Sequence, residues 1–103
     1  MTEDRRSEKR VGTNRPAKWV GLSGVYEGRL EDISLGGCFV NSDGEVEENE
    51  LVNLEIELLS GEWLSLRGEV VYIQLGIGFG LLFNFLTDDQ QRALMELFTL
   101  RFY

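Results

Sequence analysis

The sequence predicts a small antiparallel β protein, a barrel or sandwich closed by one C-terminal helix. Beyond Pro16 the chain breaks into short segments rich in Val, Leu, Ile, Tyr and Trp and punctuated by glycine, the pattern of short antiparallel strands. Within residues 51–58, Val52, Leu54, Ile56 and Leu58 alternate with Asn53, Glu55 and Glu57, a period of two that a half-buried strand explains. After Thr87 the apolar spacing changes to three and four, at Leu94, Leu97, Phe98 and Phe102, which is the stripe of an amphipathic helix.

Taken in order, residues 1–14 carry almost no apolar side chain and include the turn-prone Gly12 and Asn14. They are expected to form a flexible arm with no core of its own, closed by Arg15-Pro16, with residues 15–103 as the folded domain. Strands are expected near Ala17–Leu22, Val25–Ile33, Gly37–Asn41, Leu51–Leu59, Trp63–Ile73 and Ile77–Asn84. A second alternation, Leu64, Leu66, Gly68, Val70 and Tyr72, pairs with the first as a hairpin through Ser60-Gly61-Glu62. The stretch from Ser42 to Glu50 is too acidic for core and reads as an exposed loop without assigned function. Thr87 is the expected N-cap of the helix, with Gln90 three residues on and Asp88 and Asp89 in the first turn, where carboxylates suit the helix dipole. Trp19 and Trp63 are expected to bury surface, and Cys38 to be a small buried side chain.

Composition narrows the function. With 103 residues, 43% of them apolar, the chain fits a single domain with one core. No apolar run approaches the roughly 18 residues of a membrane-spanning helix, and the charged start lacks the apolar stretch of a signal peptide, so a soluble cytoplasmic protein is expected. One cysteine and no histidine leave no internal disulfide and make a structural metal and acid–base or covalent catalysis unexpected. The net charge of −8 disfavours DNA, RNA or single-stranded nucleic acid as a partner, because such binding draws on neutralised phosphates. The charge is segregated, however: residues 1–18 hold six Lys/Arg against three acids, so the remainder carries −11. A short cationic segment on an acidic body suits a small anion better than a long polyanion.

Two motifs carry the chemistry. The first is Arg5-Arg6-Ser7-Glu8-Lys9-Arg10, in which Arg6 and Arg10 stand four apart. A guanidinium can grip the O6/N7 edge of guanine bidentately, bind phosphate oxygens, or lie flat on a purine. The second is Asp32-Ile33-Ser34-Leu35-Gly36-Gly37, whose residue types make a tight turn and place Asp and Ser oxygens beside glycine amides. Taken alone, the first reads as a solvated basic terminus and the second as a well-made turn.

In this order and spacing they resemble the PilZ domain family, matching Arg6 and Arg10 to its arginine motif and Asp32, Ser34 and Gly37 to its second. Gly68-Glu69-Val70-Val71-Tyr72 and Gly78-Phe79-Gly80-Leu81-Leu82-Phe83 are similar to two later strands of that family, and the closing helix also fits. The resemblance implies a six-stranded antiparallel β-barrel whose arm folds over one face and holds cyclic di-GMP, a bacterial second messenger. It assigns ligand contacts to Arg5, Arg6, Arg10, Asp32, Ser34, Gly36 and Gly37, with Lys9 as added charge and Tyr72 as a stacking partner of the base. The reading of Tyr72 from the strand pattern alone is inward core packing. Arg5, just before the arginine motif, bears on whether one ligand or a stacked pair binds, and favours the pair. No cofactor is implied. A receptor of this kind is expected to be monomeric when free, to dimerise on ligand in the stacked-pair case, and to regulate a partner protein; the alternative is a PilZ-like interaction module that binds no nucleotide.

Overall fold

The structure is a computed structural model that describes residues 10–99, with side chains described through Leu97. Six strands and one helix follow one another: β1 (Val11–Gly21), β2 (Gly24–Ile33), β3 (Gly37–Asn41), β4 (Leu51–Glu57), β5 (Trp63–Gln74), β6 (Gly78–Phe83) and α1 (Asp88–Thr99). Every strand pairing is antiparallel, and the order β1-β2-β3-β6-β5-β4 closes into a barrel where β4 returns to β1. Closure gives every strand a partner on each side over part of its length.

The core is the inward set of each alternation. Val52, Leu54 and Ile56 of β4 are buried, as are Trp19, Leu30, Val40, Leu66, Val70 and Phe79 from the surrounding strands. At about 1.5–3 kcal/mol for each large apolar side chain removed from water, this set drives closure. Trp19 stacks on Tyr26 with centroids 4.6 Å apart and meets Phe79 edge-on at 4.9 Å, tying β1 to β2 and β6. The hairpins turn where positive φ is needed: Gly61 (φ 94) in β4–β5 and Gly76 (φ 78) in β5–β6.

The helix begins as its sequence requires. The Gln90 amide donates to Thr87 Oγ1 at 3.1 Å while the Thr87 amide donates to Gln90 Oε1 at 2.8 Å, a reciprocal capping box. Leu94 and Leu97 enter the barrel core, and the Gln90 side-chain amide donates to Ser65 O at 2.9 Å on β5. Phe98 and Phe102 lie outside the residues whose side chains are described.

Four expectations are corrected. First, β1 starts at Val11 and not near Ala17, so Val11 and Gly12 pair with β2 and Thr13 and Asn14 lie within the strand. Their polar side chains stitch an irregular stretch between Gly12 and Arg15: Thr13 Oγ1 donates to Leu30 O at 2.7 Å, and Arg29 donates to Asn14 Oδ1 at 2.9 Å. Pro16 lies one residue before the β1–β4 ladder begins at Ala17, where no partner needs its missing N–H. The Arg15 guanidinium covers that gap by donating to Glu57 O and Leu58 O at 2.9 and 3.0 Å.

Second, Tyr72 does not continue the inward alternation of β5. A register shift between Val70 and Tyr72 turns it to the outer surface, where it is 49% exposed. Third, Trp63 is covered only in part: it is 38% exposed and lies under Lys18 Nζ, 4.5 Å from the ring centroid. Fourth, the acidic stretch is the expected exposed loop except at its end, where Glu50 anchors it. Asp43, Glu45, Glu47 and Glu48 are exposed, but Glu50 is buried and its carboxylate accepts from the amides of Leu22 (2.6 Å) and Glu47 (2.8 Å).

Candidate functional site

Arg10 and the turn motif meet at one end and outer face of the barrel. Because Cys38 and Val40 point into the core, Phe39 between them lies on the outer side of the sheet, where it is nonetheless covered and only 5% exposed. Register then sets out a row of outward neighbours across four strands: Asp32 opposite Phe39, Phe39 opposite Gly80, and Gly80 opposite Tyr72. The rings of Phe39 and Tyr72 lie 5.8 Å apart and tilted by 30°. Tyr72 lies over Gly80, since a Cβ on Gly80 would fall 2.3 Å from Tyr72 Cε1. The glycine thus makes room for the ring to lie down on the sheet.

At the Asp32 end of this row stands Arg10. Its Nη2 donates to Asp32 Oδ1 at 2.7 Å, joining the two sequence motifs across 22 residues. Both side chains keep solvent access, 45% for Arg10 and 31% for Asp32, so donors and acceptors of the pair remain open to a further group. The charges are felt inside the barrel too. Burial pushes the Cys38 thiol well above the ordinary cysteine range, the Asp32 charge raises it further, and Arg10 opposes that.

The turn is braced by hydrogen bonds of its own and one from β6. Ser34 is buried; its Oγ accepts from the amides of Gly36 and Gly37, each at 3.2 Å, and donates to Gly37 O at 3.3 Å. The Ser34 amide donates to Gly37 O and the Phe83 amide to Gly36 O, both at 2.8 Å. Gly37 permits close approach of β3 and β6, because a Cβ there would fall 2.1 Å from Leu81 O. Ser34, Gly36 and Gly37 therefore build the surface, while Asp32 and Arg10 are the charged groups presented on it.

Arg10, Ser34, Gly36, Gly37 and Tyr72 line one depression of about 80 Å³ with Val71 and Leu82. A planar ring system can lie on such a surface but not sink into it. Arg5, Arg6 and Lys9 lie outside the described residues. Sequence reasoning missed Phe39 and Gly80; the signal was present, as Phe39 follows Cys38 in an alternating strand and Gly80 sits in Gly78-Phe79-Gly80, but both read as plain core strand. A cavity of about 700 Å³ lies at the other end of the barrel and is lined by none of the motif residues. Among the described residues no group of His, Cys, Asp and Glu is arranged to hold a metal ion, and no helix is long and apolar enough to cross a membrane.

Residues 4–100 match the PilZ domain family, a span that includes both sequence motifs. This chain is a PilZ domain. The fold agrees with solved relatives. The PilZ domain of YcgR from Escherichia coli with c-di-GMP superposes with a TM-score of 0.77 at 16% identity, covering 95% of this chain and 92% of that one. The PilZ domain of CeSA from a cellulose-synthesizing bacterium gives 0.70 at 21% identity, covering 90% and 98%. The MrkH–c-di-GMP complex of K. pneumonia gives 0.72 at 21% identity over 96% of this chain, which spans only 53% of MrkH. No protein of curated function matches the chain in sequence.

Proposed function

We propose that this PilZ domain is a receptor for cyclic di-GMP, acting as an adaptor and not as a catalyst. The observation that carries the reading is the Arg10–Asp32 ion pair, which sets Arg10, the last residue of the arginine motif, against the turn motif on a surface that Tyr72 also lines. Two of the similar structures, YcgR and MrkH, are described with c-di-GMP bound, which supports the same ligand here.

On this reading Arg6 and Arg10 grip guanine and phosphate, Arg5 and Lys9 add positive charge, and Asp32 accepts from the guanine edge. The turn of Ser34, Gly36 and Gly37 sets the height of the surface, and Tyr72 stacks on a base. Residues 1–9, drawn onto the barrel by the ligand, change the surface that a partner protein reads; the ligand shifts the protein toward that closed form by its preference for it. Arg5 favours a stacked pair of ligands, and with it a ligand-driven dimer of an otherwise monomeric cytoplasmic protein.

Titration calorimetry with cyclic di-GMP tests this on the wild type, Arg6→Ala and Asp32→Ala. Micromolar or tighter binding, lost in both variants and weakened by salt, is the expected result. Absence of heat with the wild type would transfer the protein to the interaction-module reading. Light scattering with and without ligand reads the stoichiometry and any dimer.

A further inference from the structure

The opposite end of the barrel has the build of a second recognition site. Three segments enclose the 700 Å³ cavity there: the β1–β2 turn at Leu22 and Ser23, the stretch from Ser42 to Glu50, and the β5–β6 turn at Leu75 and Gly76. Phe79 and Ile73 contribute to its apolar lining. Two leucines stand at its mouth, Leu22 at 84% and Leu75 at 90% exposure, which no fold-stabilising contact requires. β2 runs away from this end from Gly24 to Ile33, about 30 Å of strand, before the chain reaches the Asp32 turn.

The cavity is preformed. Besides the Glu50 carboxylate bonds to Leu22 and Glu47, Ser23 Oγ donates to Glu45 O at 2.7 Å and Trp19 Nε1 donates to Ser42 Oγ at 3.0 Å. Gly44 packs so closely that a Cβ would fall 2.3 Å from the Trp19 ring. A merely solvated acidic run has no reason to be held at five points. Its charge is also unspent. Among the described residues the ion pairs are Arg10–Asp32 and Arg92–Asp89, so Asp43, Glu45 and Glu47 line the cavity without a cationic partner, and no Lys or Arg lines it.

We propose that this end docks a basic amphipathic segment of a partner protein. One apolar side chain of that segment enters between Leu22 and Leu75, and flanking Lys or Arg side chains meet Asp43, Glu45 and Glu47. Charge decides the class of occupant: the same carboxylates repel nucleic acid and an anionic membrane, and they repel a second copy of this acidic end. Pairing exposed leucines with unpaired carboxylates asks for apolar and basic groups in one ligand. The site is separate from the Arg10–Asp32 surface and does not depend on the nucleotide reading.

The test is amide NMR titration of the full chain with a short synthetic peptide alternating Lys and Leu, beside two control peptides with Lys replaced by Glu or Leu by Ser. Shifts confined to residues 22–23, 42–50 and 74–78, seen with the Lys-Leu peptide and with neither control, are expected. Leu75→Ser should weaken binding by about tenfold, the order of one buried leucine, and Glu45→Lys with Glu47→Lys should abolish it. Both variants carry exposed substitutions and should melt like the wild type. Titration of the variants with cyclic di-GMP should match the wild type, which separates failure here from failure of the nucleotide reading. Shifts scattered over the surface, equal binding of the Leu-to-Ser peptide, or sedimentation showing a dimer abolished by Leu75→Ser would each overturn the proposal.

Discussion

Replacing Gly80 with alanine puts a methyl group 2.3 Å from Cε1 and 2.8 Å from Cδ1 of Tyr72. The clash is with the far part of an exposed side chain, so the ring swings off the sheet and the strand stays. What the fold loses is the Tyr72–Phe39 contact, an aromatic pair worth about 0.5–1.5 kcal/mol, toward the lower end because Tyr72 is half-exposed. In a domain of this size 1 kcal/mol moves Tm by about 4–8 °C, so melting should fall by only a few degrees. The effect on ligand is larger. Base–aromatic stacking contributes about 1–3 kcal/mol per base, so calorimetry should show cyclic di-GMP affinity down by about 5- to 150-fold. Tyr72→Ala should cost the same, and the double variant no more than either single one, since both remove the same platform. Unchanged affinity in Gly80→Ala and Tyr72→Ala would refute the role of the Phe39–Gly80–Tyr72 row, and a fall in Tm above about 15 °C would refute the view that the ring yields and the strand does not.

Gly37→Ala should behave oppositely: its Cβ meets backbone, Leu81 O at 2.1 Å, and cannot be relieved by a rotamer. A cost of about 3 kcal/mol follows, lowering Tm by more than about 12 °C, whereas Gly12→Ala, with Glu31 O at 3.8 Å, should leave melting nearly unchanged. Glu50→Ala removes the acceptor of two amides and should cost about 2–4 kcal/mol in urea unfolding, with faster hydrogen exchange at Leu22 and Glu47. Cys38 should resist thiol reagents in the folded protein. Its raised folded pKa keeps the thiol neutral while the unfolded thiol ionises near its ordinary value of 9.0, so its contribution is full below that pH and declines above it. Stability should therefore fall above pH 9 more steeply in the wild type than in Cys38→Ala, by up to about 1.4 kcal/mol per pH unit.

Where local pattern and burial agree, the sequence carries the fold legibly. β3 spans Gly37–Asn41 as its apolar run and flanking turns require, β4 follows its own period of two, and Thr87 and Gln90 announce the helix start. What escapes is set by partners distant in sequence. Val11–Asn14 look like part of an arm because their strand character comes from pairing with β2, patched by Thr13 and Asn14 side chains. The orientation of Tyr72 depends on one irregular step after Val70, which no period reveals. Glu50 sits in a run of acids and is distinguished only by the two amides it caps. At the site, the motifs could be read but not the division of labour between them. Ser34 Oγ braces the turn by accepting from the Gly36 and Gly37 amides, and Phe39 passes for core because its outward direction follows from the neighbours Cys38 and Val40.

Asp32→Ala provides the folding control, since a solvent-accessible ion pair contributes at most about 1 kcal/mol and the variant should melt close to the wild type. The most direct test of the account is where the nucleotide lands, read by amide chemical-shift mapping of the wild type titrated with cyclic di-GMP. The account predicts shifts at Arg10, Asp32, Gly36, Gly37, Phe39, Tyr72 and Gly80, absent in Asp32→Ala, with residues 42–50 unmoved. Shifts centred on the acidic cavity, or none anywhere, would contradict it.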